Sequence, residues 1–309
     1  MLAEAELSSV APPKEAVLTI GVFDGLHLGH KHLISEVKGI ASKQGMLSGV
    51  VTFRKHPVEQ VEPEASLPYL TSLQEKLKLI KAEGVDFVVA LTFDRKLADL
   101  TARDFVGLLR NYLRMRALVV GPDFALGRGR EGNVDVLRRL GKDIGFSLTV
   151  VPPMKIGGEI VSSTGIRQAL ADGDMGKVVS LTGRPYLIRG KVVRGTGQGR
   201  RIGFPTANLE IESGWAIPRD GVYATMTHTN GDVHKSLTSI GMRPTFGGKS
   251  RTVETYILDF DGDLYGRDVS IEIIERLREE KKFDNIEDLK KQIARDIDEG
   301  ISILSSSAH

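Results

Sequence analysis

The chain has 309 residues, of which 41% are hydrophobic and 27% charged, as is typical of soluble globular protein long enough for two domains. Its 42 basic and 40 acidic residues are interspersed and nearly balance, so neither nucleic acid nor an anionic membrane is an expected partner. The absence of cysteine excludes disulfides, a thiolate nucleophile and zinc sites with cysteine ligands. Together with the lack of any apolar run near 18 residues, it predicts a cytoplasmic protein.

The first 14 residues lack the basic-then-apolar order of a signal peptide. We expect them to form a loose leader ahead of the folded chain.

An apolar run over 17–22 is followed by an Asp-Gly step and then by a segment with helical apolar spacing over 33–40. This order predicts a strand, a tight turn and a helix. In an open α/β sheet such a junction collects ligands, because the strand end and the positive helix N-terminus face one crevice. His27, Gly29 and His30 lie at this junction, and the two imidazoles share one face of the first helical turn.

The histidine pair admits three interpretations. As a functional site, the imidazoles donate to phosphate oxygens and stabilise the charge that develops when an α-phosphate is attacked. As a structural feature, they cap the helix or lie on its solvated face. With His32 they could also form a metal site, but no carboxylate or cysteine stands nearby in the sequence.

Strands and helices continue to alternate up to about residue 151. Strands are predicted over 46–53, 85–93, 117–121 and 147–151. Helices are predicted from a Thr71/Gln74 capping box to Gly84, over 101–113, and up to about 144, the last after a glycine-rich loop over 122–133. Because the strands read as continuous apolar runs, the pattern predicts a Rossmann-like, doubly wound parallel sheet covered on both faces.

Two further helices are predicted over 161–170 and 175–183, after which the pattern changes. Short segments rich in β-branched residues follow over 186–195, 221–228, 236–241, 252–260 and 268–274, with turns at Asn230-Gly231 and Asp261-Gly262. They predict a small antiparallel barrel. A last helix over 286–304 carries an apolar stripe that should pack on the barrel, namely Leu289, Ile293, Ile297 and Ile301. We therefore predict domains at 1–182 and 183–309.

A second candidate phosphate site lies at the start of the helix predicted over 161–170. Ser162, Ser163 and Thr164 offer three hydroxyls, and Arg167 follows one turn later. Backbone N–H groups and a guanidinium in this arrangement can bind a phosphate. The alternative is an ordinary N-cap followed by a solvated arginine.

The stretch over 195–209, GTGQGRRIGFPTANL, forms neither a Walker loop nor a dinucleotide fingerprint, because a proline and β-type residues follow the glycines. Its backbone donors and arginines could still wrap a polyphosphate. Thr206 and Asn208 point to one side of an extended strand and offer the oxygen ligands that Mg²⁺ prefers. The alternative is a glycine-rich loop without a ligand.

Glu254 is an acidic residue within an otherwise apolar strand. Strand alternation places it on one face with Tyr256 and Leu258, opposite Val253, Thr255 and Ile257. It is either a solvated strand residue or a general base that faces a cavity.

Taken together, these segments resemble the bifunctional bacterial riboflavin kinase/FAD synthetase family from about residue 17 to about residue 298. The motifs that carry the resemblance keep a shared order and are divided between the two predicted domains: GVFDGLHLGH, TFRKHP, GPDFALG, VSSTGIRQAL, GRPY, GRRIGFPTANL, GVYAT, IGMRPTFGG, VETYILDF and LREEKKF.

The resemblance implies two active sites that both use ATP and Mg²⁺. The first half looks like the FMN adenylyltransferase module, a nucleotidyltransferase-type domain that joins FMN to AMP to form FAD and releases pyrophosphate. The second half looks like riboflavin kinase, a six-stranded barrel with a terminal helix, which phosphorylates the 5′-hydroxyl of riboflavin's ribityl chain. Such a chain would be a monomer or a weak homo-oligomer.

The resemblance also implies roles for individual residues. His27, His30 and Arg167 would bind the phosphates of ATP and act in catalysis. Further contacts to ATP or its phosphates would come from Gly21, Phe23, Gly29, Ser162, Ser163, Thr164, Gly197, Gly199 and Gly203. The flavin would lie near His56, Pro57, Asp123 and Phe124 in the first domain and near Arg278 and Phe283 in the second. Thr206 and Asn208 would hold Mg²⁺, and Glu254 would be the kinase base.

Two other interpretations remain open at this point. Only the kinase half could be active, with the first half a relic, although its nucleotide-binding groups are present. Alternatively, the chain could be a flavin-binding regulator without transfer chemistry, against which the retention of Thr206, Asn208 and Glu254 argues.

Overall fold

A computed structural model describes residues 1–61, 67–245 and 248–306. The chain divides into two compact units, Met1–Ser163 and Thr164–His309. The helices are α1 Leu2–Ser8, α2 Leu28–Gln44, α3 Val58–Val61, α4 Leu73–Ala82, α5 Arg95–Ala98, α6 Ala102–Leu113, α7 Val134–Ile144, α8 Ser163–Asp172, α9 Met175–Thr182, α10 Gln198–Arg201 and α11 Ile286–Ser306. The strands are β1 Ala16–Ile20, β2 Leu47–Phe53, β3 Phe87–Leu91, β4 Met115–Val120, β5 Ala125–Leu126, β6 Gly132–Asn133, β7 Ser147–Val150, β8 Lys155–Ile156, β9 Glu159–Ile160, β10 Tyr186–Val193, β11 Ala207–Glu210, β12 Gly221–Thr229, β13 Asp232–Thr245, β14 Gly248–Ile257 and β15 Asp268–Arg278.

The first unit is built on a five-stranded parallel sheet with the strand order β3-β2-β1-β4-β7. All five residues of the central strand β1 are buried. Alternate side chains of β1 enter different clusters: Leu18 packs with residues of α6 and α7, whereas Val17 packs with Val37 and Ala41 of α2. Helices therefore cover both faces of the sheet, and the predicted Rossmann-like architecture is confirmed.

The helix boundaries follow local capping chemistry, with one correction. Thr101 and Asn133 cap α6 and α7 by accepting hydrogen bonds from backbone N–H groups of the first turn. The cap of α4 is Ser72, whose Oγ accepts from Glu75 N at 3.0 Å, so the predicted Thr71 capping box is wrong by one residue. The Thr71 hydroxyl is instead used in a tertiary contact with the loop after β1.

The expectation of a loose leader is wrong, because residues 2–8 form helix α1, which packs against α6 and β3. Ala3 and Leu7 are fully buried in the main core of the unit. Glu6 accepts from both the backbone N and the hydroxyl of Thr92, each at 2.8 Å. The helix was missed because only two of its residues are core positions, too few for a periodic signal.

The second unit contains a closed six-stranded antiparallel barrel with the order β10-β11-β14-β13-β12-β15, as predicted. The Asn230-Gly231 turn joins β12 and β13 with both residues in the left-handed region, φ 54° and 91°, which a tight hairpin requires. Hydroxyl groups link strands within the barrel interior: Thr225 bonds Ser236 and Thr238, and Thr238 donates to Thr255. Such buried polar groups are tolerated because they satisfy one another.

Helix α11 packs on β12, β13 and β15, which confirms the predicted docking of the last helix on the barrel. The predicted stripe is partly wrong, since Ile301 is 40% exposed whereas Asp296, Gly300 and Leu304 are buried. Gly300 is buried because it allows close approach: a Cβ there would lie 2.6 Å from a methyl carbon of Leu237. Two of these three buried residues are a carboxylate and a glycine, which hydrophobic periodicity does not detect.

Among the residues that the structure describes, no helix combines the length and apolar character needed to cross a membrane.

Leu7→Ala should lower the free energy of unfolding by about 2–5 kcal/mol, because it removes a fully buried side chain from the main core. Leu2→Ala, on the same helix but 48% exposed, is the matched control and should change it by no more than about 0.5 kcal/mol. Denaturant unfolding of the whole chain, followed by circular dichroism, measures both. Equal stability of the two variants would show that α1 is a leader after all.

Candidate active sites

The loop between β1 and α2 is held in an unusual backbone conformation. Gly21 N extends the pairing of β1 by donating to Val51 O at 3.0 Å. Phe23 and Leu26 then adopt positive φ angles of 54° and 33° although both side chains are buried. Non-glycine residues rarely adopt such angles, and they persist where the surrounding contacts over-determine the backbone.

The main contacts that hold this backbone are made by the carboxylate of Asp24, which is only 4% exposed. Its oxygens accept from Leu70 N at 3.0 Å, from Thr71 N at 3.1 Å and from the Thr71 hydroxyl at 3.2 Å. The same hydroxyl oxygen accepts from Gly25 N at 3.0 Å. The loop after β1 is therefore fastened to the segment that precedes α4.

His27 and His30 form a stacked pair at the start of α2, with ring centroids 3.6 Å apart and planes inclined by 15°. His27 is the N-cap, and its Nδ1 accepts from His30 N at 3.2 Å. An accepting Nδ1 carries no proton, so the neutral ring of His27 carries its proton on Nε2. The prediction that the two imidazoles lie on one face is confirmed. His27 caps the helix through Nδ1, which leaves Nε2 for a phosphate, so the capping and phosphate-binding interpretations do not exclude each other.

The pKa of His30 lies well below its ordinary value. Burial is the largest cause, and the neighbouring His27 and Lys76 act in the same direction. His30 thus favours the neutral form, in which an imidazole offers one N–H donor and one acceptor nitrogen.

Gly29 and Ser163, two further residues of the predicted ATP site, lie at this junction. A Cβ on Gly29 would lie 3.1 Å from Nδ1 of His27 and 3.2 Å from Val161 O, so only glycine leaves the stacked pair undisturbed. Ser163 Oγ donates to the backbone carbonyl of Asp24 at 2.9 Å. Thr164 and Arg167 lie on α8 within the second unit.

The residues predicted to lie near the flavin in the first unit follow β2 and β4. His56 donates its backbone N–H to the Tyr69 hydroxyl at 2.9 Å, and its Nδ1 accepts from Val58 N at 3.2 Å. Phe124 packs against the main core, and Asp123 is exposed. Since parallel strands end at a common edge, these segments and the histidine junction share the carboxyl edge of the sheet.

Sequence reasoning missed Lys76 and the role of Asp24. Lys76 is 3% exposed and lies on α4 between Leu73 and Ile80, at helical core spacing. A lysine at a core position of an amphipathic helix is the signal that could have found it.

The second unit brings Thr206, Asn208 and Glu254 together. Strands β11 and β14 pair with Asn208 directly opposite Glu254, which places their side chains on one face. The Thr206 hydroxyl donates to a Glu254 carboxylate oxygen at 3.4 Å. The predicted alternation is confirmed, because Val253, Thr255 and Ile257 are buried whereas Glu254 and Tyr256 are only partly buried.

The glycine-rich loop before β11 folds back on itself. Gly197 and Gly203 have φ angles of 71° and 94°, and between them lies the short helix α10. Gly199 accepts from Phe204 N at 2.8 Å, and a Cβ on Gly199 would lie 2.3 Å from Phe204 O. Gly199 therefore allows the loop to close on its own backbone, where a side chain would not fit.

The donor set beside this loop suits Mg²⁺. No cluster of three or more His, Cys, Asp or Glu side chains occurs within 1–61, 67–245 and 248–306. A hydroxyl, an amide oxygen and one carboxylate are instead adjacent, and Mg²⁺ is commonly bound by few protein oxygens together with water and substrate phosphates.

Arg278, predicted to lie near the flavin, donates to both carboxylate oxygens of Asp296 at 2.7–3.0 Å. Phe283 lies in the segment that connects β15 to α11, and its side chain is half-buried. Residues 246–247 of the IGMRPTFGG motif lie outside the described residues.

A polar cavity of about 680 Å³ in this unit is lined largely by charged side chains, including Arg219, Asp220, Arg251, Arg276, Glu279 and Glu280.

Each unit therefore has its own cluster of polar side chains, and comparisons with known proteins divide the chain in a similar way. Residues 10–165 match the family model described as FAD synthetase, and residues 182–304 match riboflavin kinase. The bifunctional riboflavin kinase/FMN adenylyltransferase of Escherichia coli K12 is 40% identical over 93% of this chain and 92% of its own. That of Pseudomonas fluorescens is 36% identical over 95% and 94%.

A crystal structure described as a macrolide-efflux protein from Streptococcus pneumoniae superposes with a TM-score of 0.87 at 30% identity, covering 96% of each chain. Fold, sites and comparisons together define a two-domain transferase, with a nucleotidyltransferase-like domain followed by a flavokinase barrel. The chain belongs to the bifunctional riboflavin kinase/FMN adenylyltransferase family.

His30 should remain neutral at pH 6.5, where an unperturbed imidazole is half protonated, because burial, His27 and Lys76 all lower its pKa. Imidazole ¹⁵N chemical shifts recorded between pH 5 and 8 measure this, and His30→Gln assigns the resonance. A protonation midpoint at or above 6.5 would contradict the account.

Proposed function

We propose that the chain performs two consecutive reactions at separate sites. The second unit transfers the γ-phosphoryl group of ATP to riboflavin, and the first unit joins the resulting FMN to AMP from a second ATP. The observation that supports this most directly is that each unit contains its own polar constellation: the stacked imidazoles with Ser163 in one and Thr206, Asn208 and Glu254 in the other.

Adenylyl transfer requires an FMN phosphate oxygen to attack the α-phosphorus of ATP in line with the departing pyrophosphate. No protein nucleophile is needed, so catalysis consists of positioning and charge stabilisation. We assign the phosphate contacts to the N–H donors of His27 and His30 and to Arg167. The backbone and hydroxyl groups that would complete the ATP site are Gly21, Phe23, Gly29, Ser162, Ser163 and Thr164.

The neutral imidazole of His30 suits this role. A neutral N–H donor stabilises the negative charge that develops on phosphate oxygens, and its strength does not depend on holding a proton that titrates near pH 7. FMN would approach along the carboxyl edge of the sheet, past His56, Pro57, Asp123 and Phe124.

In the kinase reaction we assign Glu254 as the group that accepts the proton of the 5′-hydroxyl. Thr206 and Asn208 would hold Mg²⁺, and Gly197, Gly199 and Gly203 would let the loop backbone approach the phosphates. A bound Mg²⁺ neutralises phosphate charge during the transfer. Arg278 and Phe283 would border the flavin, with Arg278 kept in place by Asp296.

We further propose that the adenylyltransferase domain extends to residue 182, beyond the compact unit that ends at Ser163. The protein would act in the cytoplasm as a monomer or weak homo-oligomer on small-molecule substrates.

His30→Ala should lower FAD formation from FMN at least 100-fold, since it removes a phosphate donor, while FMN formation from riboflavin persists. Chromatographic assay of each reaction with purified variants measures both. His32→Ala is the matched control, because this imidazole lies on the same helix but off the face that His27 and His30 share. Equal loss of both activities in folded His30→Ala would refute the separation of the sites.

Glu254→Gln should lower FMN formation about 10²- to 10⁴-fold by removing the proton acceptor, while FAD formation from supplied FMN is retained. Glu275→Gln, at an exposed position on β15, controls for loss of a carboxylate from the barrel surface. A Glu254→Gln enzyme that makes FMN at the wild-type rate would place the base elsewhere.

A further inference from the structure

The first unit buries a lysine that the proposed chemistry does not use. Lys76 is 3% exposed, although lysine is almost never fully buried without a partner. Its ammonium group does not extend to solvent but donates to the backbone carbonyl of Phe53 at 2.7 Å.

The position of this hydrogen bond connects two parts of the adenylylation site. Phe53 is the last residue of β2, and His56 and Pro57, assigned above to the flavin side, follow three and four residues later. The Lys76 ammonium therefore fixes the point at which the chain leaves the sheet toward that segment.

The titratable groups that interact electrostatically with Lys76 belong to the ATP side. The Asp24 carboxylate stabilises its charge, and the Lys76 charge in turn acts on the His30 imidazole, which stacks on His27. Strands β2 and β3 carry no titratable side chain. Asp24 and His30 are thus the titratable groups of the junction with which Lys76 interacts electrostatically.

We propose that Lys76 is a positioning residue of the adenylylation site, which holds the end of β2 and the Asp24 loop in the relative arrangement that in-line transfer needs. This inference rests on the proposed adenylyltransferase function. Lys76 acts through Phe53, Asp24 and His30 rather than by touching substrate, because its side chain is enclosed and its ammonium is already donating to protein.

The charge of Lys76 is sensitive to alkaline pH. Burial lowers its pKa to about 8, and Asp24 opposes the shift. Below pH 8 the ammonium form predominates, so Asp24 keeps a cationic neighbour and Lys76 adds to the lowering of the His30 pKa that burial mainly causes. As the pH rises through about 8 the charge is lost and the Asp24 carboxylate loses that stabilisation.

Lys76→Met tests the proposal, since methionine keeps an unbranched apolar stem but lacks the charge and the donor. It should lower kcat for FAD formation from FMN about 10- to 100-fold, the loss expected when reacting groups are misplaced by about an ångström, with smaller changes in KM for ATP and FMN. Riboflavin phosphorylation by the same preparation should be unchanged. Lys78→Met, at an exposed position on the same helix, should behave as wild type.

The pH profile separates positioning from simple support of the fold. Wild-type kcat for adenylylation should fall as the pH rises through about 8, and Lys76→Met should lack that limb. Lys76→Arg should restore part of the activity and move the limb to higher pH, because arginine stays charged. The His30 protonation midpoint should rise in Lys76→Met.

Lys76→Met with wild-type kcat, or a wild-type profile that is flat between pH 7 and 9, would overturn the proposal. The wild-type pH profile tests the proposal even if Lys76→Met fails to fold. Failure of the wild type to convert FMN and ATP to FAD would refute the adenylyltransferase function instead, and it is detected independently of any variant.

Discussion

The buried carboxylate of Asp24 is the constraint on which the first site depends. A carboxylate at 4% exposure is unfavourable unless hydrogen bonds compensate it, and here Leu70 N, Thr71 N and the Thr71 hydroxyl do so. These bonds hold the loop with positive φ angles at Phe23 and Leu26. The start of α2, and with it the imidazole pair, is positioned by that loop.

The two candidate sites offer different groups to a substrate. In the first unit, two stacked imidazoles, a glycine and a serine hydroxyl lie at a strand-to-helix junction. In the second, a folded-back glycine loop lies before a strand pair that carries a hydroxyl, an amide and a carboxylate. The difference fits the chemistry proposed, because adenylyl transfer to an ionised phosphate needs no base whereas phosphoryl transfer to an alcohol does.

Periodicity and turn chemistry predicted most of the fold. The alternation of buried strands with helices predicted the parallel sheet, and short β-branched segments with Asn230-Gly231 predicted the barrel, because both signals are local. The histidine junction and the Thr206, Asn208 and Glu254 face were predictable for the same reason. The roles assigned to these residues remain predictions.

Features that depend on tertiary contacts were not predictable in this way. Helix α1 has only two core residues, and the buried face of α11 contains Asp296 and Gly300, whose burial depends on Arg278 and Leu237. Thr71 was expected to cap α4, but its hydroxyl serves Asp24 and Gly25 instead. The function of Lys76 depends on a carbonyl 23 positions earlier in the chain, which no local pattern reveals.

The central claim is that one chain contains two working transferase sites. Incubating the purified full-length protein with riboflavin, ATP and Mg²⁺, and following flavins by chromatography together with released pyrophosphate, tests it most directly. The account predicts that FMN appears first and is then converted to FAD, with one pyrophosphate released for each FAD. Accumulation of FMN without FAD or pyrophosphate would contradict it and leave only the kinase.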